Sequence, residues 1–190
     1  MARIAVLASG SGTNLQAMLD AELPIVVVVA DRPCGALDVA SGAGVTAALV
    51  ERTDFSRSFD RVAYTHDVVD VLRANAVDLI AMAGFGTILE KPVHDAFPDR
   101  IVNTHPALLP AFKGWHAVEE ALAAGVKVTG VTVHIARLEV DDGPILAQEP
   151  IRVLPGDTVD TLHERIKETE RVLYPSVLRQ LVDDLDAEGN

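Results

Sequence analysis

The chain has 190 residues, of which 49% are hydrophobic, and its 16 basic and 28 acidic side chains give a formal net charge of −12. This length and apolar content predict one globular domain with a sizeable core and exclude an intrinsically disordered chain. The acidic charge disfavours nucleic acids and anionic membranes as partners, because it repels their phosphate groups.

Export and membrane insertion are also disfavoured by the sequence. The single cysteine, Cys34, cannot form an internal disulfide. The first apolar run ends at Ser9, which is too short for a signal peptide, and no apolar run reaches the roughly 18 residues of a membrane span. We therefore expect a soluble protein of the cytoplasm.

The first half of the chain alternates short apolar runs with helical patterns. The continuous runs are typical of strands buried on both faces, and strand–helix alternation predicts a parallel sheet. The predicted strands cover residues 3–8, 24–30, 45–50, 77–83 and 101–103. The predicted helices cover residues 14–21, 36–43, 59–74 and 89–97.

The second half has a different pattern. A helix over 115–124 is followed by two long strands, 126–135 and 145–153, with no helix between them, so these strands are expected to pair antiparallel at the sheet edge. Asp157 is the expected cap of a last helix that ends near Leu181. The fold prediction is an α/β, doubly wound, mostly parallel sheet with an antiparallel edge. It forms one domain over 1–182, followed by a frayed polar tail, 183–190.

A glycine-rich turn, residues 9–14 (SGSGTN), follows the first strand and opens a helix. Glycines allow close approach of a ligand, and free N–H groups at a helix start attract anions, so a phosphate monoester is the preferred ligand. A dinucleotide site is the first alternative, with Gly10, Gly12 and Asp31 in place, but Leu15 stands where the third glycine would pack. A tight turn without any ligand is the second.

Asn103 and His105 lie where the fifth strand is expected to end. In open α/β sheets the carboxyl ends of the strands line the ligand crevice, and residues two apart on a strand point the same way. An amide and an imidazole side by side can donate hydrogen bonds to an oxygen that gains charge during acyl transfer. The alternative is structural, with His105 in the core and Asn103 forming a turn.

Several short motifs carry a family resemblance. They are SGSGTN at 9–14, AGF at 83–85, NTHPALLP at 103–110, Gly114, His134 and DDGP at 141–144. Together they resemble the folate-dependent formyltransferases, from residue 3 to about residue 178, and among these most closely the members that formylate glycinamide ribonucleotide in purine biosynthesis. The most specific part is Asn103, His105 and Asp141 in this order and spacing.

The resemblance implies an activity and a catalytic trio. The formyl donor would be 10-formyltetrahydrofolate, and the acceptor would be the primary amine of glycinamide ribonucleotide. Asn103 and His105 would stabilise the oxyanion of the tetrahedral intermediate. Asp141 would orient His105 and help to move a proton from the attacking amine. The resemblance requires no metal, and the spacing of the histidines and Asp141 fits no standard metal pattern.

Further residues are implied to bind the two substrates. The phosphate of the ribonucleotide is assigned to Gly12, Thr13 and Asn14. Glu170 falls on the apolar stripe of the last helix, where a carboxylate needs a partner. Its partner is either a neighbouring Arg or Lys or, as the resemblance implies, the glycinamide or ribose end of the ribonucleotide.

The folate is implied to lie against two segments. Its predicted contacts are Arg57, Gly86, Thr87, Ile88, Leu89, Asn103, Arg137, Leu138, Glu139, Val140 and Asp141. Gly86 and Thr87 stand where many members of the family have Met and Arg, so only backbone contacts would be retained there. The loop from Arg137 to Val140 is expected to close over the pterin.

Four other functions remain to be separated. Methionyl-tRNA formyltransferases are expected to need a tRNA-binding domain and a basic surface, and formyltetrahydrofolate hydrolases an extra N-terminal domain. From other classes, an NAD(P)-binding oxidoreductase could use the glycine-rich turn, and so could a non-catalytic phosphate-binding module. A homodimer is compatible with the sequence, which does not determine the oligomeric state.

Overall fold

The structure, a computed structural model, describes residues 1–189. This part of the chain forms seven strands and six helices. In chain order they are β1 (Ile4–Ala8), α1 (Thr13–Asp20), β2 (Ile25–Ala30), α2 (Gly35–Gly42), β3 (Thr46–Leu49), α3 (Arg61–Ala74), β4 (Leu79–Met82), α4 (Lys91–Ala96), β5 (Ile101–His105), α5 (Ala117–Ala123), β6 (Val128–Ile135), β7 (Ile145–Arg152) and α6 (Val159–Glu188). Each predicted strand and helix is present, with bounds that differ by a few residues.

The strands form one sheet in the order β3-β2-β1-β4-β5-β6-β7. Neighbours from β3 to β5 are parallel, whereas β6 pairs antiparallel with both β5 and β7. The doubly wound sheet with an antiparallel edge is therefore confirmed. The long β6–β7 pair forms because no crossover helix separates these strands.

Helices cover both faces of the sheet, and β1 shows why its sequence is continuously apolar. All five of its residues are buried. Ile4, Val6 and Ala8 pack into a cluster with α1, α2 and α6, while Ala5 and Leu7 pack on the opposite face with α3 and α4. Successive side chains of a strand point to opposite faces, so a strand covered on both sides needs apolar residues at every position.

The last helix differs from the prediction at both ends. Its cap is Thr158, whose side chain accepts from the Thr161 backbone N–H. Asp157 instead accepts from the N–H of Leu154 and pairs with Arg165, so the predicted cap is wrong. The helix also continues to Glu188, and the expected fraying from residue 183 is wrong within the described part of the chain. Leu185 packs against the core there, which explains the extension.

The sheet order reverses between β1 and β4, because β2 lies on one side of β1 and β5 lies beyond β4. In open α/β sheets, such a reversal leaves a crevice at the carboxyl ends of the strands. The glycine-rich turn follows β1 at these carboxyl ends, and the Asn103–His105 pair lies at the end of β5. Among residues 1–189, no helix is long and apolar enough to cross a membrane.

Candidate active site

A cavity of about 430 Å³ lies in this crevice. Its walls come from the turn after β1, the segment after β4, the end of β5, the loop after β6 and one side of α6. This volume falls within the range of small-molecule binding sites. The topology thus brings together segments that are up to about 160 residues apart in the chain.

The glycine-rich turn forms the end of the cavity where an anion can bind. Gly12 has a φ of 84° and precedes α1. A Cβ on Gly12 would lie 2.9 Å from the Cα of Ala36, so the turn needs glycine for both its conformation and its packing against α2. The first N–H groups of α1 are free of intrahelical partners and carry the positive end of the helix dipole. Gly12, Thr13 and Asn14 all line the cavity, as the phosphate assignment requires.

Glu170 faces the same end of the cavity from α6. Its Oε2 accepts a hydrogen bond of 2.9 Å from Nδ2 of Asn14, so its protein partner is an amide rather than the Arg or Lys considered from the sequence. The Oδ1 atom of Asn14 is buried without a protein hydrogen bond. Because Nδ2 is held by Glu170, the orientation of this amide is fixed.

Two residues of α6 were missed by the sequence analysis. His163 and Lys167 line the cavity together with Glu170. Their spacing of four and three residues places all three on one helix face. This spacing was visible in the sequence, but it did not indicate that the polar face would meet the glycine-rich turn.

His105 is held between two oxygen atoms. The ring is buried, with Nε2 at 2.7 Å from the carbonyl oxygen of Phe112 and Nδ1 at 3.3 Å from Oδ2 of Asp141. Carbonyl and carboxylate oxygens are acceptors, so only a ring with protons on both nitrogens can donate to both of them. Asn103, His105 and Asp141 all line the cavity, and their catalytic roles stay predictions.

His134 connects Asn103 to the same carboxylate. It lies directly opposite Asn103 in the β5–β6 register, where cross-strand side chains are in contact. Its Nδ1 donates to the carbonyl of Ile135. Its Nε2 lies 3.2 Å from Nδ2 of Asn103 and 3.6 Å from Oδ1 of Asp141. Without a proton, Nε2 can accept a hydrogen bond from the Asn103 amide; with a proton, it can donate to Asp141. It cannot do both at once.

Asp141 occupies a strained and electropositive position. Its φ is 54°, a left-handed conformation that costs energy for residues other than glycine. The N–H of Gly114 donates to its Oδ2 at 2.8 Å. Burial alone would raise the pKa of the carboxyl, but His134, the Gly114 N–H and the His105 charge outweigh burial and hold this pKa below its usual range. The group is therefore a carboxylate at neutral pH.

Most of the residues predicted to contact the folate line the cavity, with three exceptions. Thr87, Ile88, Leu89, Arg137, Leu138 and Val140 line the cavity. Gly86 does not, since its N–H turns inward and donates to Oγ of Ser9. Arg57 lies in an exposed turn between β3 and α3, and Glu139 is exposed in the loop after β6. Contacts of these three residues with a folate stay predictions.

Other cavity residues were not singled out from the sequence. Most are apolar or lie next to a strand end, where neighbours of a motif share its location. They are Met82, Val93, His94, Ile101, Thr104, Pro106, Trp115 and Ala136. Burial and then the charge of Arg137 lower the pKa of His94. Within residues 1–189, no group of three or more His, Cys, Asp or Glu side chains is arranged to hold a metal ion.

Known proteins are similar to this chain in sequence and in fold. The formyl transferase family model matches residues 2–178. The phosphoribosylglycinamide formyltransferase of Mycobacterium tuberculosis H37Rv is 45% identical over 185 residues, which cover 95% of this chain and 85% of that protein. The human trifunctional purine biosynthetic protein adenosine-3 is 39% identical over 94% of this chain, which corresponds to 18% of its own length.

A solved structure extends the similarity to three dimensions. The glycinamide ribonucleotide transformylase 1 of Symbiobacterium toebii superposes with a TM-score of 0.90 at 43% identity, and the match covers 97% of this chain and 89% of that chain. The family match spans nearly all of the cavity residues described above. The chain therefore belongs to the formyl transferase family.

Proposed function

We propose that this protein transfers the formyl group of 10-formyltetrahydrofolate to the amine of glycinamide ribonucleotide, which gives formylglycinamide ribonucleotide in purine biosynthesis. The observation that carries the proposal is the convergence of Asn103, His105 and Asp141 in one cavity with the amino end of α1. An anion site and an acyl-transfer site within one small cavity suit an acceptor that carries both a phosphate and an amine.

The ribonucleotide is oriented by its two ends. Its phosphate lies at the N–H groups of Gly12, Thr13 and Asn14, where the helix dipole favours an anion. Lys167, on the facing side of α6, supplies a cationic side chain at the cavity wall. Glu170 provides an acceptor for hydroxyl or amine donors. These local groups hold an anion against the negative charge of the whole molecule.

The folate occupies the apolar side of the cavity. Phe85, Leu89 and Val93 lie at its base and are buried, while Leu138 and Val140 are exposed at the rim. Flat aromatic ligands bind well in apolar clefts with a few polar groups at fixed positions. The exposed rim side chains gain a partner when the pterin is bound, which supports the expectation that this loop closes over it.

The reaction proceeds through a tetrahedral intermediate. The lone pair of the amine forms a bond to the formyl carbon, and the carbonyl electron pair moves to the oxygen. Asn103 donates to this oxyanion. His105 shares its Nε2 proton between the Phe112 carbonyl, 2.7 Å away, and the oxyanion, while its Nδ1 stays against Asp141. The carboxylate of Asp141 accepts the proton lost by the attacking nitrogen. Collapse of the intermediate breaks the bond between carbon and the folate N10, and N10 takes the proton that Asp141 had accepted and leaves as tetrahydrofolate.

The nicotinamide alternative is less well supported. It depends on the Asp31 carboxylate to bind a ribose hydroxyl. This carboxylate is fully buried and hydrogen-bonded to protein groups, and Leu15 fills the core where a dinucleotide site has its third glycine. Neither residue is available for a dinucleotide.

An absorbance assay with 10-formyl-dideazafolate and glycinamide ribonucleotide tests the proposed activity. We expect the wild-type protein to release the deformylated folate only when the ribonucleotide is present. His105→Ala should lower kcat by about 10²- to 10⁴-fold with little change in the Kd of either substrate, because the ring acts on the transition state.

The matched control is His66→Ala, since His66 is exposed on α3 and does not line the cavity. It should retain wild-type kcat. The proposed function is wrong if the wild-type protein forms no product, or if His105→Ala is as active as the control.

A further inference from the structure

Asp31 is a buried charge that the proposed reaction does not use. It follows β2 and its side chain has no exposed surface. Its Oδ2 accepts a 2.8 Å hydrogen bond from Oγ1 of Thr87. The guanidinium of Arg32 donates to both carboxylate oxygens, at 2.9 and 3.2 Å. A buried carboxylate is costly unless such donors surround it, and here they come from separate segments.

Ser9 connects this carboxylate to the glycine-rich turn. The Ser9 hydroxyl lies near the Asp31 carboxylate and helps to lower the pKa of that group, and its oxygen accepts from the N–H of Gly86 at 2.6 Å. The backbone N–H of Ser9 also donates to the carbonyl of Gly84. Ser9 therefore holds the folate-side segment, residues 84–89, directly against the start of the phosphate-binding turn.

The segment 84–89 connects this network to the cavity. Thr87, Ile88 and Leu89 all line the cavity, and the buried Thr87 donates its hydroxyl to Asp31. Packing behind the segment is close, because a Cβ on Gly86 would lie 2.8 Å from Nη2 of Arg32. The hydrogen bonds of Thr87 and Gly86 thus fix the position of the wall that Ile88 and Leu89 present.

We propose that Asp31 is a positioning residue that, through Ser9 and Thr87, fixes residues 84–89 against the glycine-rich turn and so determines how tightly the formyl donor binds. It touches neither substrate and acts through the segment it holds. The inference rests on the proposed function only for the identity of the ligand, the formyl donor, that binds against residues 84–89. The contacts with Thr87 and Gly86 do not depend on that identity.

The discriminating variants remove one hydroxyl at a time. Thr87→Val keeps the side-chain shape and deletes the donor to Asp31, whereas Thr87→Ser keeps the donor. We expect Thr87→Val to raise the KM for 10-formyl-dideazafolate about tenfold, with kcat and the KM for glycinamide ribonucleotide within about twofold of wild type. Thr87→Ser should restore the donor KM, and Asp31→Asn should change it in the same direction as Thr87→Val.

Thr129→Val is the matched control. Thr129 is equally buried, lies in β6 outside the cavity, and its hydroxyl has no hydrogen-bond partner among the described residues. Trp115, the single tryptophan of the chain, lines the cavity, so its fluorescence gives the Kd of the folate analogue without turnover. The positioning role is overturned if Thr87→Val and Thr129→Val have equal donor affinity, or if Thr87→Val weakens both substrates alike.

Hydrogen exchange separates this inference from the proposed function. Amide exchange of residues 84–89 should be faster in Thr87→Val than in wild type and unchanged in Thr129→Val, whether or not the protein is a formyltransferase. Equal exchange in the three proteins would exclude the positioning role. If exchange is faster in Thr87→Val but the wild-type protein does not transfer formyl groups, the positioning role of Asp31 is retained and the formyl donor is rejected as the ligand.

Discussion

The carboxylate of Asp141 is surrounded by groups from three parts of the chain. They are the backbone N–H of Gly114, which donates to Oδ2, and two imidazoles that lie close to the carboxylate, His105 at 3.3 Å and His134 at 3.6 Å. This surrounding keeps the group ionised and close to the proposed oxyanion donors. A carboxylate in this position can accept a proton from the attacking amine and stabilise the charge on His105 without itself touching the developing oxyanion.

Asp141→Asn should therefore lower kcat by about 10²- to 10⁴-fold with little effect on substrate Kd. Asparagine tolerates the left-handed backbone of this position, so the change removes the charge without adding strain. Asp142→Asn is the matched control, because the neighbouring Asp142 is exposed and pairs with Lys113 at the surface. Steady-state kinetics with both variants provide the measurement, and equal kcat in the two would contradict the assigned role of Asp141.

The elements were largely predictable from the sequence, and the relations between them were not. Apolar runs identify the strands because a sheet covered on both faces needs them. The motif residues Asn103 and His105 lie in one strand, β5, so their proximity is local. The contact between Asn14 and Glu170 spans 156 residues, and no periodic pattern encodes which helix face meets which turn. The wrong cap, Asp157, has the same origin, since its carboxylate is taken by Arg165 rather than by the helix end.

The turn between β1 and α1 should not tolerate a side chain at Gly12. Gly12→Ala places a methyl group against the backbone of α2 in a left-handed conformation. We expect it to destabilise the protein by about 1–3 kcal/mol, to lower Tm by roughly 2–10 °C, and to raise the KM for glycinamide ribonucleotide. Gly42→Ala is the control, because Gly42 ends α2 with open space around its Cα. Calorimetry should show a lower Tm for the first variant only.

At the scale of the whole molecule, several folded-state pKa values lie below their ordinary values. Burial would raise the pKa of Asp31, but hydrogen bonds from Arg32, Ser9 and Thr87 reverse the shift, and the pKa of Asp141 is lowered by its own partners. A carboxyl whose pKa is lower in the folded state contributes stability that is present above its unfolded pKa, about 4, and is lost as the pH falls through the folded pKa.

His94 adds a second, higher pH range to the loss of stability in acid. Burial and then the charge of Arg137 lower its pKa, and the charges of Asp95 and Glu90 only partly oppose them. Since the unfolded histidine binds its proton at higher pH than the folded one, stability is complete above about 6.5 and decreases as the pH falls through the lower, folded pKa. The free energy of unfolding, measured by urea titration between pH 8 and 3, should therefore fall first below about 6.5 and again below about 4. His94→Asn should remove the decrease below about 6.5 and leave the decrease below about 4. The exposed control His66→Asn should retain both. If His94→Asn still shows the decrease below about 6.5, that decrease belongs to another group.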